Sequence, residues 1–218
     1  MKTLHLLLLS VWLLFGLLQS ANSQSCIQEG QNYYTCGIPT TEFEFMRAQL
    51  VNAGTQAQSN WCWAACIQML LKYHGIQTNQ IDIVTKIYGS PYINLPANEH
   101  QILYALNGWV PNAGGGYAVV YAYGGYTSIN EVVGALSSKN PLIVGLINPQ
   151  TNSGHAYVLT AISYYAQYDY WGNLIGLYPD KVVLRDPWPG NPSRQEWSWQ
   201  EFQNRCMMAV KVWVVKSD

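Results

Sequence analysis

The stretch NWCWAACIQMLLKYHG, from Asn60 to Gly75, constrains the fold more than any other part of the chain. Asn60 suits a helix N-cap and Gly75 the position just past a helix end, so one helix is predicted between them. In its middle only Gln68 and Lys72 are strongly polar, four apart on one face. A helix that is apolar nearly all round, with a narrow polar stripe, has to be buried. The rest of the chain must be arranged around it. The same helix carries two cysteines a turn apart, and the first, Cys62, is set between Trp61 and Trp63.

Further helices are predicted from Asn79 to Tyr88, stopped by Gly89 and Pro91, and from Asn98 to Leu106. Gly114-Gly115-Gly116 reads as a loop and Tyr117 to Tyr123 as an alternating strand. Ser128-Ile129-Asn130-Glu131 is a capping box, opening a helix that runs to about Ser138. Beyond Pro141 the pattern becomes strands: Leu142 to Ile147, His155 to Tyr165, Leu177 to Arg185 and Ala209 to Val215. A short helix is predicted at Trp199 to Arg205. Helices come first and strands later, so the expected class is α+β. Its N-terminal helical part, with the buried helix, packs on a mainly antiparallel C-terminal sheet.

Met1-Lys2, the apolar run Leu4 to Leu18 and the small residues up to Ser23 read as a signal peptide, residues 1–23. The run is shorter than the roughly 20 residues a membrane span needs. The expectation is a secreted or periplasmic protein with no stable membrane insertion once the signal is removed. Residues 24–51 are polar and read as an irregular N-terminal arm or short pro-segment, and residues 52–218 suit one domain. The net charge is −1 with no basic block, so nucleic acid is not an expected partner.

All five cysteines, Cys26, Cys36, Cys62, Cys66 and Cys206, follow the signal. An odd number in an exported chain leaves at least one thiol without a partner in the same molecule. No C-x-x-C occurs, which argues against zinc. The expected bridges are Cys26–Cys36 and Cys66–Cys206, although four cysteines allow three pairings.

At the start of the buried helix Cys62 meets unpaired backbone N–H groups and the positive end of the helix dipole, which favour an anionic sulfur. A cysteine nucleophile also needs a base. His5 leaves with the signal, and His74 lies at the far end of Cys62's own helix, about 18 Å away along the axis. His100 sits in a polar stretch of a short helix. His155 opens the strand GHAYVLTAISYY and is the candidate left. A hairpin centred between Tyr170 and Trp171 would set His155 directly opposite Asp186, within reach of its ring. Asp186 is then expected to accept from Nδ1–H and fix the tautomer. A slip of one residue would put the two side chains on opposite faces.

The motifs QAQSNWCWAA, GHAYVLTA and LRDPW, in that order, resemble the papain-like cysteine peptidases. The resemblance is to bacterial branches, the double-glycine leader (bacteriocin-processing) peptidases and the avirulence-type secreted peptidases. It covers about residues 56–187, and Cys62-Trp63-Ala64 stands where plant members carry C-G-S-C-W. It implies a papain-like catalytic domain over residues 52–218 and a peptide or protein substrate; the sequence itself shows no sign of a metal or an organic cofactor. It also implies an acyl-enzyme route in which Cys62 attacks, His155 moves the proton and Asp186 orients His155. The Cys62 backbone N–H and a glutamine side chain would form the oxyanion hole. Gln56 matches the family spacing and ranks first, with Gln58 as the alternative. The same triad also serves an amidase or acyl transferase acting on cell-wall peptides. A catalytically silent peptide-binding module is the third reading.

Overall fold

The computed structural model describes residues 25–111, 116–125 and 128–216. The signal segment and Gly114-Gly115 lie outside the described residues. Six α-helices and nine strands are present among those described. The helices are α1 (Thr40–Ala48), α2 (Cys62–Tyr73), α3 (Gln80–Tyr88), α4 (Glu99–Leu106), α5 (Ile129–Ser137) and α6 (Trp199–Arg205). The strands are β1 (Cys26–Gly30), β2 (Tyr33–Gly37), β3 (Gly108–Pro111), β4 (Tyr117–Gly125) and β5 (Leu142–Asn148). They continue with β6 (Ser153–Tyr168), β7 (Leu174–Arg185), β8 (Arg194–Ser198) and β9 (Cys206–Lys216).

Helix α2 is the buried helix the sequence requires, with every residue from Trp63 to Leu71 in the interior. Complete burial of side chains such as Ile67 and Leu70 is worth about 1.5–3 kcal/mol each. The predicted polar stripe is not solvated along its length. Gln68 is buried, its Nε2 donating to Thr78 O and its Oε1 accepting from Gln80 Nε2, each at 3.1 Å. The helix also starts one residue later than predicted, with Trp61 as N-cap and no capping side chain. Asn60 is turned outward instead, its backbone N–H donating to Asn94 Oδ1 and its Nδ2 to Asn94 O. Elsewhere the local signals hold. Asn79, Asn98, Ser128 and Ser198 each cap the helix that follows through their side chains, and Gly89 ends α3 in the left-handed region.

The strands form one sheet in the order β1-β2-β6-β5-β9-β4-β3, with β7 also on β6 and β8 on β7. Every pairing is antiparallel. Strand β6 organises it, because β5 pairs with residues 153–159, β2 with 161–165 and β7 with 158–168. The two-residue period then sorts side chains between two cores. Ile143, Ala156, Val158, Val210 and Val212 face α2, α3 and α4. Leu142, Val144, Leu159 and Ala209 face α5 and α6 on the other side. Both faces are covered, which is why β5 and β6 read as near-continuous apolar runs.

That two-sided arrangement overturns one expected disulfide. Cys26–Cys36 forms, bridging opposed residues of the β1–β2 hairpin. Cys66 and Cys206 do not bridge, and Cys62, Cys66 and Cys206 are all free thiols. Cys66 belongs to the core on the α2 face and Cys206 to the core on the α5–α6 face, with the sheet between them.

The segment expected to be an irregular arm is built into the fold. It supplies β1, β2 and α1, and α1 places Phe43 fully in the core. Strand β2 approaches β6 so closely that a Cβ on Gly37, at φ +148°, would meet Thr160 O at 2.2 Å. Glycine is required there on both counts.

Candidate active site

Two tryptophans position the start of α2. Trp61 Nε1 donates to Ile93 O at 2.8 Å and Trp63 Nε1 to Leu95 O at 3.2 Å. These bonds fasten the segment before α4 beside Cys62, so that Pro96 lines the same cleft. The Gln56 backbone N–H donates to Pro187 O at 2.8 Å, tying the approach to α2 to the segment just after Asp186.

His155 comes from the start of β6, where β7 no longer pairs with it. Its Nε2 lies 2.7 Å from Asp186 Oδ1, and the Asp186 side chain is fully buried. Cys62 lines the same cavities as His155 and raises its pKa, so the ring has the sulfur as a neighbour as well as the carboxylate. The structure thus brings together the three residues singled out from the sequence. It corrects the atom, since Nε2 rather than Nδ1 faces the carboxylate.

It also corrects the register. Near its base the β6–β7 ladder pairs Val158 with Arg185 and Leu159 with Leu184. Continued, that register sets Tyr157 rather than His155 opposite Asp186, and His155 reaches the carboxylate diagonally. The offset is two residues, so both side chains remain on one face.

Asp186 is held by four donors. Oδ1 accepts from His155 Nε2 and from Trp188 N, the latter at 2.8 Å. Oδ2 accepts from Asn191 Nδ2 and Gln195 Nε2, both at 2.7 Å. Burial by itself would raise the Asp186 pKa, but the bonds from His155, Asn191 and Trp188 outweigh it and hold the carboxyl below its ordinary value. For His155, burial favours the neutral ring. The hydrogen bonds with Asp186 and Cys62 and their charges overcome that and raise it to about 9.

The candidate oxyanion glutamines are placed less directly. Gln56 is buried, and its Nε2 donates to Gln58 O at 2.8 Å and Ser59 O at 2.9 Å. An amide nitrogen has two hydrogens, so both are engaged. Its Oε1 is buried without a hydrogen-bond partner among the described residues. Gln58 is exposed and contributes its carbonyl rather than its side chain. His100 is exposed and takes no part, and half-buried His74 is pushed down to about 4, mainly by desolvation.

Two cavities meet at Cys62 and His155. One, of about 320 Å³, is largely apolar, with Ala97, Ile102, Gly145 and Met208 in its walls. The other, of about 480 Å³, is more polar, with Asn60, Asn148, Thr151 and Arg205. The residues around Asp186, namely Trp188, Asn191 and Gln195, were not singled out from the sequence. The turn residues of DPWPGNP announce a loop, but nothing local marks Gln195, whose strand β8 is short and polar.

No curated protein matches the chain. Solved structures with a similar course of chain include the peptidase domain of Streptococcus ComA, a bifunctional ABC transporter. It has 14% identity and a TM-score of 0.48, over 75% of this chain and 96% of that one. A double-glycine motif protease from an AMS/PCAT transporter, solved with its leader peptide, has 17% identity and a TM-score of 0.43, over 72% and 87%. A protein described as a C39-like peptidase from Bacillus anthracis has 12% identity and a TM-score of 0.48, over 73% and 91%. The profile of the Peptidase_C39-like family matches residues 46–214. That match takes in the helix of Cys62, the strand of His155, Asp186 and most of the sheet, and the chain accordingly belongs to the Peptidase_C39-like family.

Proposed function

We propose that this protein is a cysteine peptidase that cleaves peptide bonds through a thioester acyl-enzyme. The observation that carries the reading is His155 bonded through Nε2 to the buried Asp186 carboxylate while it shares with Cys62 the walls of two cavities. Cys62 Sγ attacks the scissile carbonyl carbon while His155 Nδ1 holds the thiol proton, then delivers it to the leaving amine. Water next attacks the thioester, His155 takes its proton, and the acid departs as Cys62 is restored. The free N–H groups at the uncapped start of α2 face the developing oxyanion, and the Cys62 backbone N–H is the first of them. Gln56 joins them by releasing one of its two carbonyl bonds.

The test is labelling with iodoacetamide followed by peptide mapping, with Cys62→Ala as control and hydrolysis of quenched peptide libraries in parallel. Cys62 should react well ahead of Cys66 and Cys206 at mildly acidic pH, and Cys62→Ala should abolish hydrolysis. A Cys62 no faster than an ordinary exposed thiol would sink the peptidase reading and favour a silent binding module. Cys62 labelling without peptide hydrolysis would point to an amidase or acyl transferase instead. Gln56→Ala should slow hydrolysis by about 10²–10³ if its amide reaches the oxyanion, and Gln58→Ala should change it little. The reverse order would assign the donor to Gln58.

We further propose that the protein is exported and acts outside the cytoplasm, the reading supported by the N-terminal apolar run and the Cys26–Cys36 bridge. N-terminal sequencing of exported material should begin at Gln24, and a start near Asn52 would mean that residues 24–51 are a removed pro-segment.

A further inference from the structure

The geometry points to Gln195 as a positioning residue that locks the Asp186 carboxylate in the orientation His155 requires. The inference rests on the peptidase reading of Cys62, His155 and Asp186. Gln195 is the second residue of β8, which joins the sheet only through β7. Its Nε2 donates to Asp186 Oδ2 at 2.7 Å, and its Oε1 accepts from Trp197 Nε1 at 3.0 Å.

The second bond gives the first its meaning. An indole N–H can only donate, so it holds the oxygen of Gln195 toward itself and the amide nitrogen toward Asp186. Trp197 is held in turn, edge-on to Tyr157 with ring centroids 5.8 Å apart and with the Arg205 guanidinium 4.9 Å over its ring. A hydrogen-bonded chain results, in which Trp197 donates to Gln195, Gln195 to Asp186, and His155 to Asp186 from the other side. Asn191 also donates to Oδ2, but it lies in the loop between β7 and β8, and no bond to its Oδ1 from the described residues fixes which way its amide turns.

Gln195 therefore dictates that a carboxylate stand at position 186. With Asp186→Asn, the new amide has two orientations. If its oxygen faces His155, its NH₂ faces the Gln195 NH₂. If it turns over, its NH₂ faces Nε2–H of His155. Either way two donors oppose each other, and a buried polar clash of this kind is costly. A carboxylate at position 195 would remove the clash, because it accepts both from the new amide and from Trp197.

The test uses the full chain and the second-order rate of Cys62 alkylation by iodoacetate. This anionic reagent is drawn by the His155 cation, so its rate falls as that cation is lost at alkaline pH. In the wild type the fall should lie near pH 9, the value to which His155 is raised. Gln195→Met, similar in length but without a donor, should move the fall to lower pH and cut the rate at pH 8 by about tenfold, the result of freeing one carboxylate oxygen. Asp186→Asn with Gln195→Glu should react at least about tenfold faster than Asp186→Asn alone, a gain that a merely structural residue would not produce. An unshifted profile for Gln195→Met, or no gain in the double variant, overturns the inference. Should Gln195→Met fail to fold, the double variant decides alone. A wild-type Cys62 with ordinary reactivity would instead count against the peptidase reading itself, which separates the two failures.

Discussion

Asp186→Asn should lower peptide hydrolysis by about 10³–10⁴-fold while leaving the fold intact, a loss of the size seen when the orienting carboxylate of a catalytic triad becomes an amide. The four donors around the Asp186 carboxylate explain why so small a change costs so much, since two of them converge on the oxygen that would become NH₂. The loss should appear in the pH profile as well as in the rate. His155 is raised from 6.5 to about 9 against the effect of its burial, and the Asp186 bond is the first of the effects that raise it. Removing that charge should bring the alkaline limb of activity down from about 9 toward the ordinary histidine value. The stability sign follows the same linkage. A folded-state pKa raised above the unfolded value stabilises the protein fully below about pH 6.5, and that contribution is lost as pH rises through about 9. Asp186→Asn should therefore flatten the dependence of unfolding free energy on pH across this window. Hydrolysis rates and urea melts from pH 5 to 10 check both statements, and an unchanged alkaline limb would count against the role given to Asp186.

Glu44→Ala should destabilise the protein by about 2–4 kcal/mol, near the range found when one partner of a buried ion pair is removed and discounted because Glu44 is partly exposed. Its partner is Arg185, which is fully buried and next in sequence to Asp186. Arg185 Nη1 donates to Glu44 Oε1 at 2.7 Å, its Nε to Thr160 Oγ1 at 3.2 Å, and its guanidinium sits 5.1 Å over the Phe43 ring. Burial pulls Arg185 down to about 10 and the charge of Glu44 opposes this. Without Glu44 a guanidinium is left in the core with the Thr160 and Thr40 hydroxyls, the Phe43 ring and the like charges of Arg47 and Arg194. Arg185→Met, which removes the charge together with the need for a partner, should cost less. Urea unfolding of the two variants provides the measurement, and a smaller loss for Glu44→Ala than for Arg185→Met would contradict this account. The pair joins α1, from the segment that reads as a detached arm, to the end of β7 that carries Asp186.

Local chemistry explains which features were legible in the sequence. Helices α3, α4, α5 and α6 announce themselves through a capping side chain within three residues of their start. Strands β5, β6, β7 and β9 do so through length and apolar content. The elements that went unread are short and depend on distant partners. β1 and β2 gain their place from β6, more than a hundred residues away, and β8 from β7. α1 begins at Thr40 behind Pro39 with no capping side chain, and its one buried residue is Phe43.

The sequence by itself determined that a nearly all-apolar helix lies at the centre with a cysteine in its first turn, and that His155 and Asp186 end adjacent strands. These follow from composition and period, which are local. Whether histidine and carboxylate would meet was decided only in three dimensions. At its tip the β6–β7 hairpin pairs Tyr168 with Leu174, a register that would send His155 and Asp186 to opposite faces of the sheet. Successive irregularities then shift the ladder, the last where Thr160 is the extra residue between Leu159 and Ala161, and they restore the shared face. A bulge is fixed by the packing of several segments at once, here Ile38, just past β2, and Val183 of β7 against Thr160. No single stretch of the chain encodes it.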